Sequence, residues 1–257
     1  MFIKISSFIL FYNFLYHYFK FFIWYLGDEQ IQIELAFYKG VLAFLSALIF
    51  ILFIHLVFFP KKIEDAPQIK TFPPLIMLFS INLGFGVGIY NLYLSHLYSL
   101  PSLLNYLRST ELGIILILIS FLLIYLSVKS FKLHQEDPNP TTRSNTLITK
   151  GIFKYIRNPM YLSLICFQLG IGSLLSFLHI SFFSLITLII LHFFIIKKEE
   201  SYLRNRFGEQ YIIYLQTSRR WIWLQLIILL SIYKFLILKW KGVTTIFSYL
   251  IWDNQLR

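Results

Sequence analysis

Two carboxylates stand side by side at Glu199-Glu200, just after an apolar run that ends at Ile196. On a helix their surroundings differ. Glu200 lies four residues before Arg204, the spacing of an ordinary surface ion pair. Glu199 is followed at four and eight residues by Leu203 and Phe207, so it shares an apolar face turned toward the protein. A carboxylate on such a face needs a cation. That cation is either internal, from Lys150, Lys154 or Arg157, or the ammonium of a ligand. Gly208 then closes the helix as a C-cap.

A second group of polar residues is Arg157-Asn158-Pro159-Met160-Tyr161. Asn is a favoured N-cap and Pro a favoured first helical residue, so a helix is predicted to start at Pro159. The residue before a proline avoids the α region, in agreement. Such a start leaves free N–H groups and a positive dipole end, a seat for a carboxylate or phosphate. The same residues also serve as plain helix punctuation. Arg157 and Tyr161 are the candidate catalytic positioning groups.

Other patterns carry no chemistry. Gly84-Phe-Gly-Val-Gly88 sits inside an apolar run with no strand before it, so it reads as close helix packing and not as a nucleotide loop. The six histidines show no ligand spacing, and no metal site is predicted. There is no Gly-x-Ser-x-Gly elbow. Cys166, the single cysteine, reads as a small core residue. Tyr211 and Tyr214 fit an interfacial aromatic belt as well as a site.

The elements that hold these residues are apolar helices. The chain has 257 residues, 58% hydrophobic and 14% charged, against about 25% charged in soluble domains. Its mean hydropathy is +0.70. A membrane-crossing helix needs about 20 apolar residues. Residues 41–59, 72–95, 112–128, 160–177 and 181–196 qualify, and the last two form a helical hairpin. Residues 5–26, carrying Lys20, and 222–240, carrying Lys234, either span or lie in the interface. No small-residue cleavage site follows 5–26, so it does not read as a signal peptide. The predicted fold is an all-α polytopic membrane bundle of five to seven spans.

The net charge is +11, which by itself suits nucleic acid or membrane. Its placement decides for membrane. Segments 60–71, 129–159 and 197–220 hold three, six and six Lys and Arg; segments 96–111 and 178–180 hold Arg108 alone. By the positive-inside rule the three basic segments face the cytoplasm, and Asp28, Glu29 and Glu34 lie outside if 5–26 cross. No nucleic-acid partner is predicted. The hairpin folds segments 143–161 and 197–221 onto one membrane face, where they should enclose a single site. Glu199 and Tyr161 must then share a cavity.

At these residues a resemblance emerges. Asn145-Thr-Leu-Ile-Thr-Lys-Gly-Ile-Phe-Lys-Tyr-Ile-Arg-Asn-Pro-Met-Tyr161, then a hydrophobic hairpin, then Glu199-Glu200-Ser-Tyr-Leu203 through Phe207-Gly208, Tyr211 and Tyr214, resembles the isoprenylcysteine carboxyl methyltransferase and phospholipid methyltransferase superfamily. The likeness covers residues 143–221, about a third of the chain. It implies an integral-membrane methyltransferase that uses S-adenosylmethionine in a cytosolic pocket beside the hairpin. By position, Asn145, Thr146, Leu147, Ile148 and Phe153 would line that pocket. Asn158, Pro159, Met160 and Tyr161 would form its helix-start wall, and Glu199 would take the methionine ammonium.

Asn145 and Asn158 stand where prenylcysteine enzymes carry His, and Phe153 where they carry Tyr. Their substrate-linked arginine falls here on Ile195, which weakens a prenylcysteine carboxyl acceptor in particular. The implied acceptor is lipid-like or small and hydrophobic, entering from the bilayer. Residues 1–142 are expected to form transmembrane helices with an acceptor cavity, 143–221 the cofactor core, and 222–257 an apolar helix and tail. Two competing readings are a sterol-type NADPH-dependent reductase and a non-catalytic membrane scaffold. No motif specifies an oligomer.

Overall fold

The computed structural model describes residues 2–27, 32–59, 65–94, 97–100 and 102–221. The chain divides into two units, Met1–Ser218 and Arg219–Arg257. Of the second, Arg219–Trp221 are described, so the expected apolar helix at 222–240 and the tail lie outside the described residues, as do Asp28, Glu29, Lys61 and Lys62. Every helix or strand among the described residues is helical.

The apolar runs become α1 (Phe2–Gly27), α2 (Ile33–Phe58), α3 (Pro73–Tyr93), α4 (Thr110–Leu133), α5 (Pro159–Leu174) and α6 (Leu178–Ile190). Two polar helices follow, α7 (Lys197–Phe207) and α8 (Glu209–Thr217). Among the described residues, α2, α3, α4 and the continuous helix Leu178–Phe207 are long and apolar enough to cross a membrane; α5 is a shorter apolar helix. α1 is not in that set, and it lies neither apart from the bundle nor across it. Its Phe14 ring stacks on Phe50 at 5.6 Å midway along it, and Lys39 lies 4.5 Å over Trp24 near its C-terminal end. The two helices therefore run antiparallel along their length.

α3 sits at the centre, packed on α2, α5 and α6, while α4 pairs with α5. Small residues allow these approaches. A Cβ at Gly88 would lie 2.3 Å from the Phe177 ring, and one at Gly84 2.8 Å from the His179 carbonyl. The glycine run thus serves helix packing, as its spacing suggested. Phe21, Phe22, Phe85 and Phe177 form an aromatic knot there, with ring centroids 4.9–5.9 Å apart.

Several polar side chains buried among the helices satisfy one another. The Gln168 amide donates to Ser80 Oγ (3.2 Å) and the Ile180 carbonyl (3.1 Å), and Thr187 donates back to Gln168 Oε1 (2.6 Å). Tyr18 donates to Asn82 (2.8 Å), tying α1 to α3. These bonds lock α3, α5 and α6 in register, since an unmet polar group in hydrocarbon is costly. Cys166 is buried in α5, as read.

The hairpin is the feature that builds the site. α5 and α6 are joined by Leu175–Phe177 and run back to back, so Pro159 and Lys197 emerge at the same end. The 65–71 connection joins them there. Lys198 Nζ donates to the Gln68 carbonyl (3.2 Å), and Arg143 pairs with Asp65 at 3.7 Å.

Candidate functional site

Between α6 and α7 the helix widens into a π turn over Leu191–Ile196. Leu191, Ile195, Glu199 and Leu203 follow one another in steps of four. On a regular α-helix each such step drifts by about 40°. The wider turn absorbs the drift, so the face that buries Leu191 and Ile195 continues into a half-buried Glu199. The helix then ends at Gly208, with φ +53° and its N–H on the Arg204 carbonyl. That is the expected glycine stop, and α8 folds back from it.

Glu199 meets Tyr161 across the hairpin. The Tyr161 hydroxyl donates to Glu199 Oε2 at 2.8 Å. Among the described residues no cation lies within ion-pairing distance of Glu199. The internal-cation alternative therefore fails: Lys150 and Lys154 do not reach it, and Arg157 pairs with Glu200 at 3.5 Å. This also corrects the surface pair expected between Glu200 and Arg204. Glu200 points inward, its side chain 15% exposed.

Arg157 is committed further. Its Nη1 donates to the Leu215 and Ser218 carbonyls at 3.2 and 2.6 Å, which pins the C-terminal end of α8. With the Glu200 pair, these bonds tie its guanidinium to α7 and α8. Asn158 is a second correction. Pro159 is the first helical residue as predicted, but the Asn158 side chain makes no capping bond. Its φ −125° and ψ 54° lie outside the extended region that N-caps adopt.

Two cavities meet at these residues. The larger, about 430 Å³, is lined by Phe153, Asn158, Pro159, Met160, Tyr161 and Glu199, and by residues of α3, α4 and the 137–140 turn. It falls within the usual range for small-ligand sites. The smaller, about 80 Å³, is lined by Thr146, Leu147, Ile148, Tyr211 and Tyr214, among others. Phe131, Phe153, Arg157, Asn158 and Glu199 line both. Nine of the ten predicted cofactor residues thus border one or the other of two adjoining cavities. Asn145 does not; it is exposed and lines neither cavity.

Glu136 was missed by the sequence reading. Its carboxylate accepts the Asn145 N–H (3.0 Å), the Thr146 N–H (2.6 Å) and the Thr146 hydroxyl (3.0 Å). It thereby holds the strand-like stretch that walls the smaller cavity. Tyr202 and Arg206 hold Ser144 from the other side, through its N–H and carbonyl respectively. The only signal for Glu136 was an acidic pair, Glu136-Asp137, inside an otherwise basic segment.

The electrostatics run against the chain's overall charge. The chain carries +11, yet among the described residues the smaller cavity is lined by Glu136, Glu199, Glu200 and a single cation, Arg157. Asp137 adds a further acid to the larger one. Such a space attracts a cationic ligand and repels an anionic one. Burial pushes the Glu199 carboxyl, which lies beyond the apolar part of its helix, up to about 7, with Tyr161 opposing. Burial also pushes Tyr211 up, and Tyr214 to about 12, so both stay neutral hydroxyls. Tyr214 donates to the Phe153 carbonyl at 2.7 Å, which makes it a wall of the site and not a belt residue.

A cation bound to Glu199 needs the ionised carboxylate. Binding of an ammonium ligand should therefore weaken about tenfold per pH unit below about 7. Above about 8 it should weaken again as an α-amino ligand loses its own proton. A titration of affinity from pH 5.5 to 9 checks this; a flat acid limb contradicts the role of Glu199.

No curated protein and no solved structure matches the chain. Residues 109–210, which include α4, the 136–161 turns, the hairpin and α7, match the family model described as phospholipid methyltransferase, consistent with the isoprenylcysteine carboxyl methyltransferase and phospholipid methyltransferase superfamily that the motifs resemble and with a membrane methyltransferase of that type.

Proposed function

We propose that the protein transfers the methyl group of S-adenosylmethionine to a lipid-like or small hydrophobic acceptor that enters from the bilayer. The observation that carries this reading is the sign of the site: a half-buried carboxylate with a hydroxyl as its partner, in an acidic cavity of a basic chain. The cofactor has an ammonium and a sulfonium against one carboxylate, so its net charge suits that cavity. A nicotinamide dinucleotide with a 2′-phosphate is a polyanion and suits it poorly. This favours the transferase over the reductase.

The cofactor, when bound, supplies an electrophilic methyl on a sulfonium. The chain has to bind it, orient it and keep water away. Glu199 would take the ammonium, with Tyr161 fixing the carboxylate rotamer. Leu147, Ile148 and Phe153 would provide the apolar wall, with Thr146 held by Glu136 at the rim. Asn158, Pro159 and Met160 would border the side from which the acceptor comes. That side is apolar, with Phe72, Ile124 and Leu164 lining it. Arg157 would act by positioning α7 and α8.

The cytoplasmic assignment of 60–71, 129–159 and 197–220 belongs to the same proposal. It is supported by the bonds that join them at one end of the bundle. Thermal unfolding in detergent tests the reading. Ligand at a hundred times its dissociation constant stabilises by about 2.7 kcal/mol. That should raise the midpoint by roughly 5–10 °C for S-adenosylmethionine and not for NADPH. A shift with NADPH alone would overturn the assignment, and no shift with either would favour a scaffold.

A further inference from the structure

Away from the methyl-transfer site, α1 and α2 flank a groove of about 630 Å³. Its walls are apolar and aromatic, formed by Leu15, Phe19 and Ile23 together with Tyr16 and Trp24. Two lysines enter it, one from each helix: Lys20 from α1 and Lys39 from α2. Lys20 lies seven residues before the end of α1, and Lys39 six residues after the start of α2. At 1.5 Å per residue both sit about 10 Å from the adjacent helix ends, at the same level.

Ammonium groups on the outer, apolar faces of a hydrophobic helix pair are costly in a bilayer and need a partner. Among the described residues neither lysine has an ion-pair partner, and no carboxylate lines the groove. Each is held by aromatic rings instead. Lys39 Nζ lies 4.5 Å above the Trp24 ring, and Lys20 Nζ lies 5.4 Å from the Tyr16 ring and donates to its hydroxyl at 3.3 Å. Ring contacts orient an ammonium but do not neutralise it.

We propose that this groove binds one phospholipid of net negative charge, its phosphate between Lys20 and Lys39 and an acyl chain along Leu15, Phe19 and Ile23. The charge complementarity picks the occupant. Two cations with no acid beside them among the described residues match a phosphate, and none of the described groove residues offers an anion to the ammonium of a zwitterionic headgroup. The depth agrees, since a headgroup at the membrane boundary is within reach of a lysine stem extended from this level.

Native mass spectrometry of the delipidated full chain tests the proposal, with phosphatidylglycerol and phosphatidylcholine of identical acyl chains as probes. The wild type should prefer phosphatidylglycerol roughly thirtyfold, from two lysines at a surface-like depth. Lys20→Gln with Lys39→Gln should erase the preference. Lys20→Arg with Lys39→Arg should keep it, as should Lys129→Gln with Lys132→Gln, which removes equal charge from α4. An unchanged preference in the Lys20→Gln, Lys39→Gln variant overturns the proposal. So does competition by millimolar inorganic phosphate, which would mark a free-anion site. If the glutamine variant fails to fold, photocrosslinking the wild type with a diazirine-bearing phosphatidylglycerol decides. Label within residues 12–24 and 33–45 supports the site, and label confined elsewhere refutes it.

Discussion

Glu199→Ala is expected to lose S-adenosylmethionine binding almost completely. Truncating one partner of a buried, hydrogen-bonded charge pair costs about 2–5 kcal/mol, or roughly 30-fold to several-thousand-fold in affinity. Calorimetry at pH 8, where the wild-type carboxyl is ionised, reads the effect directly. Glu199→Gln keeps the size and the acceptor for Tyr161 but removes the charge, so it should lose nearly as much. Wild-type affinity in the Gln variant would sink the ammonium assignment. In the Gln variant, which keeps the Tyr161 bond, the folded chain should not suffer. Burial opposes ionisation of Glu199, so relieving it leaves thermal stability near neutral pH equal or higher. Loss of binding with retained stability separates a ligand role from a structural one.

Arg157→Ala should act in the opposite way, on stability first. The guanidinium pairs with a mostly buried Glu200 and satisfies two carbonyls at the end of α8. Removing it takes one partner from Glu200 and leaves two carbonyl acceptors unmet, a change worth about 1–3 kcal/mol. The unfolding midpoint should drop without ligand, and limited proteolysis should open residues 209–218. Arg157→Lys should recover less than half, because a single ammonium cannot reproduce the planar fork that meets carbonyls and carboxylate together. If Arg157→Ala keeps wild-type stability and only turnover falls, the positioning assignment is wrong and the residue acts in the chemistry.

The comparison of sequence and structure turns on what kind of signal each residue left. The hairpin was legible because two apolar runs separated by three residues leave little choice of path. Glu199 was legible because Leu203 and Phe207 share its face. Glu200 was misread for the complementary reason. Its spacing to Arg204 obeys a local helix rule, whereas Arg157 comes to it from 43 residues away and wins. Asn158 has the composition of a cap but not its backbone angles, which depend on how the preceding turn packs. Glu136 left almost no trace. Its partners are backbone N–H groups, which have no residue identity to read.

The wide turn at Leu191–Ile196 carries a mechanical consequence. A rod of uniform pitch would carry the carboxylate round to another side of the helix, away from Tyr161. The looser winding takes up one surplus residue between the greasy half and the charged tip, so removing a single residue there would rotate the tip by about 100°.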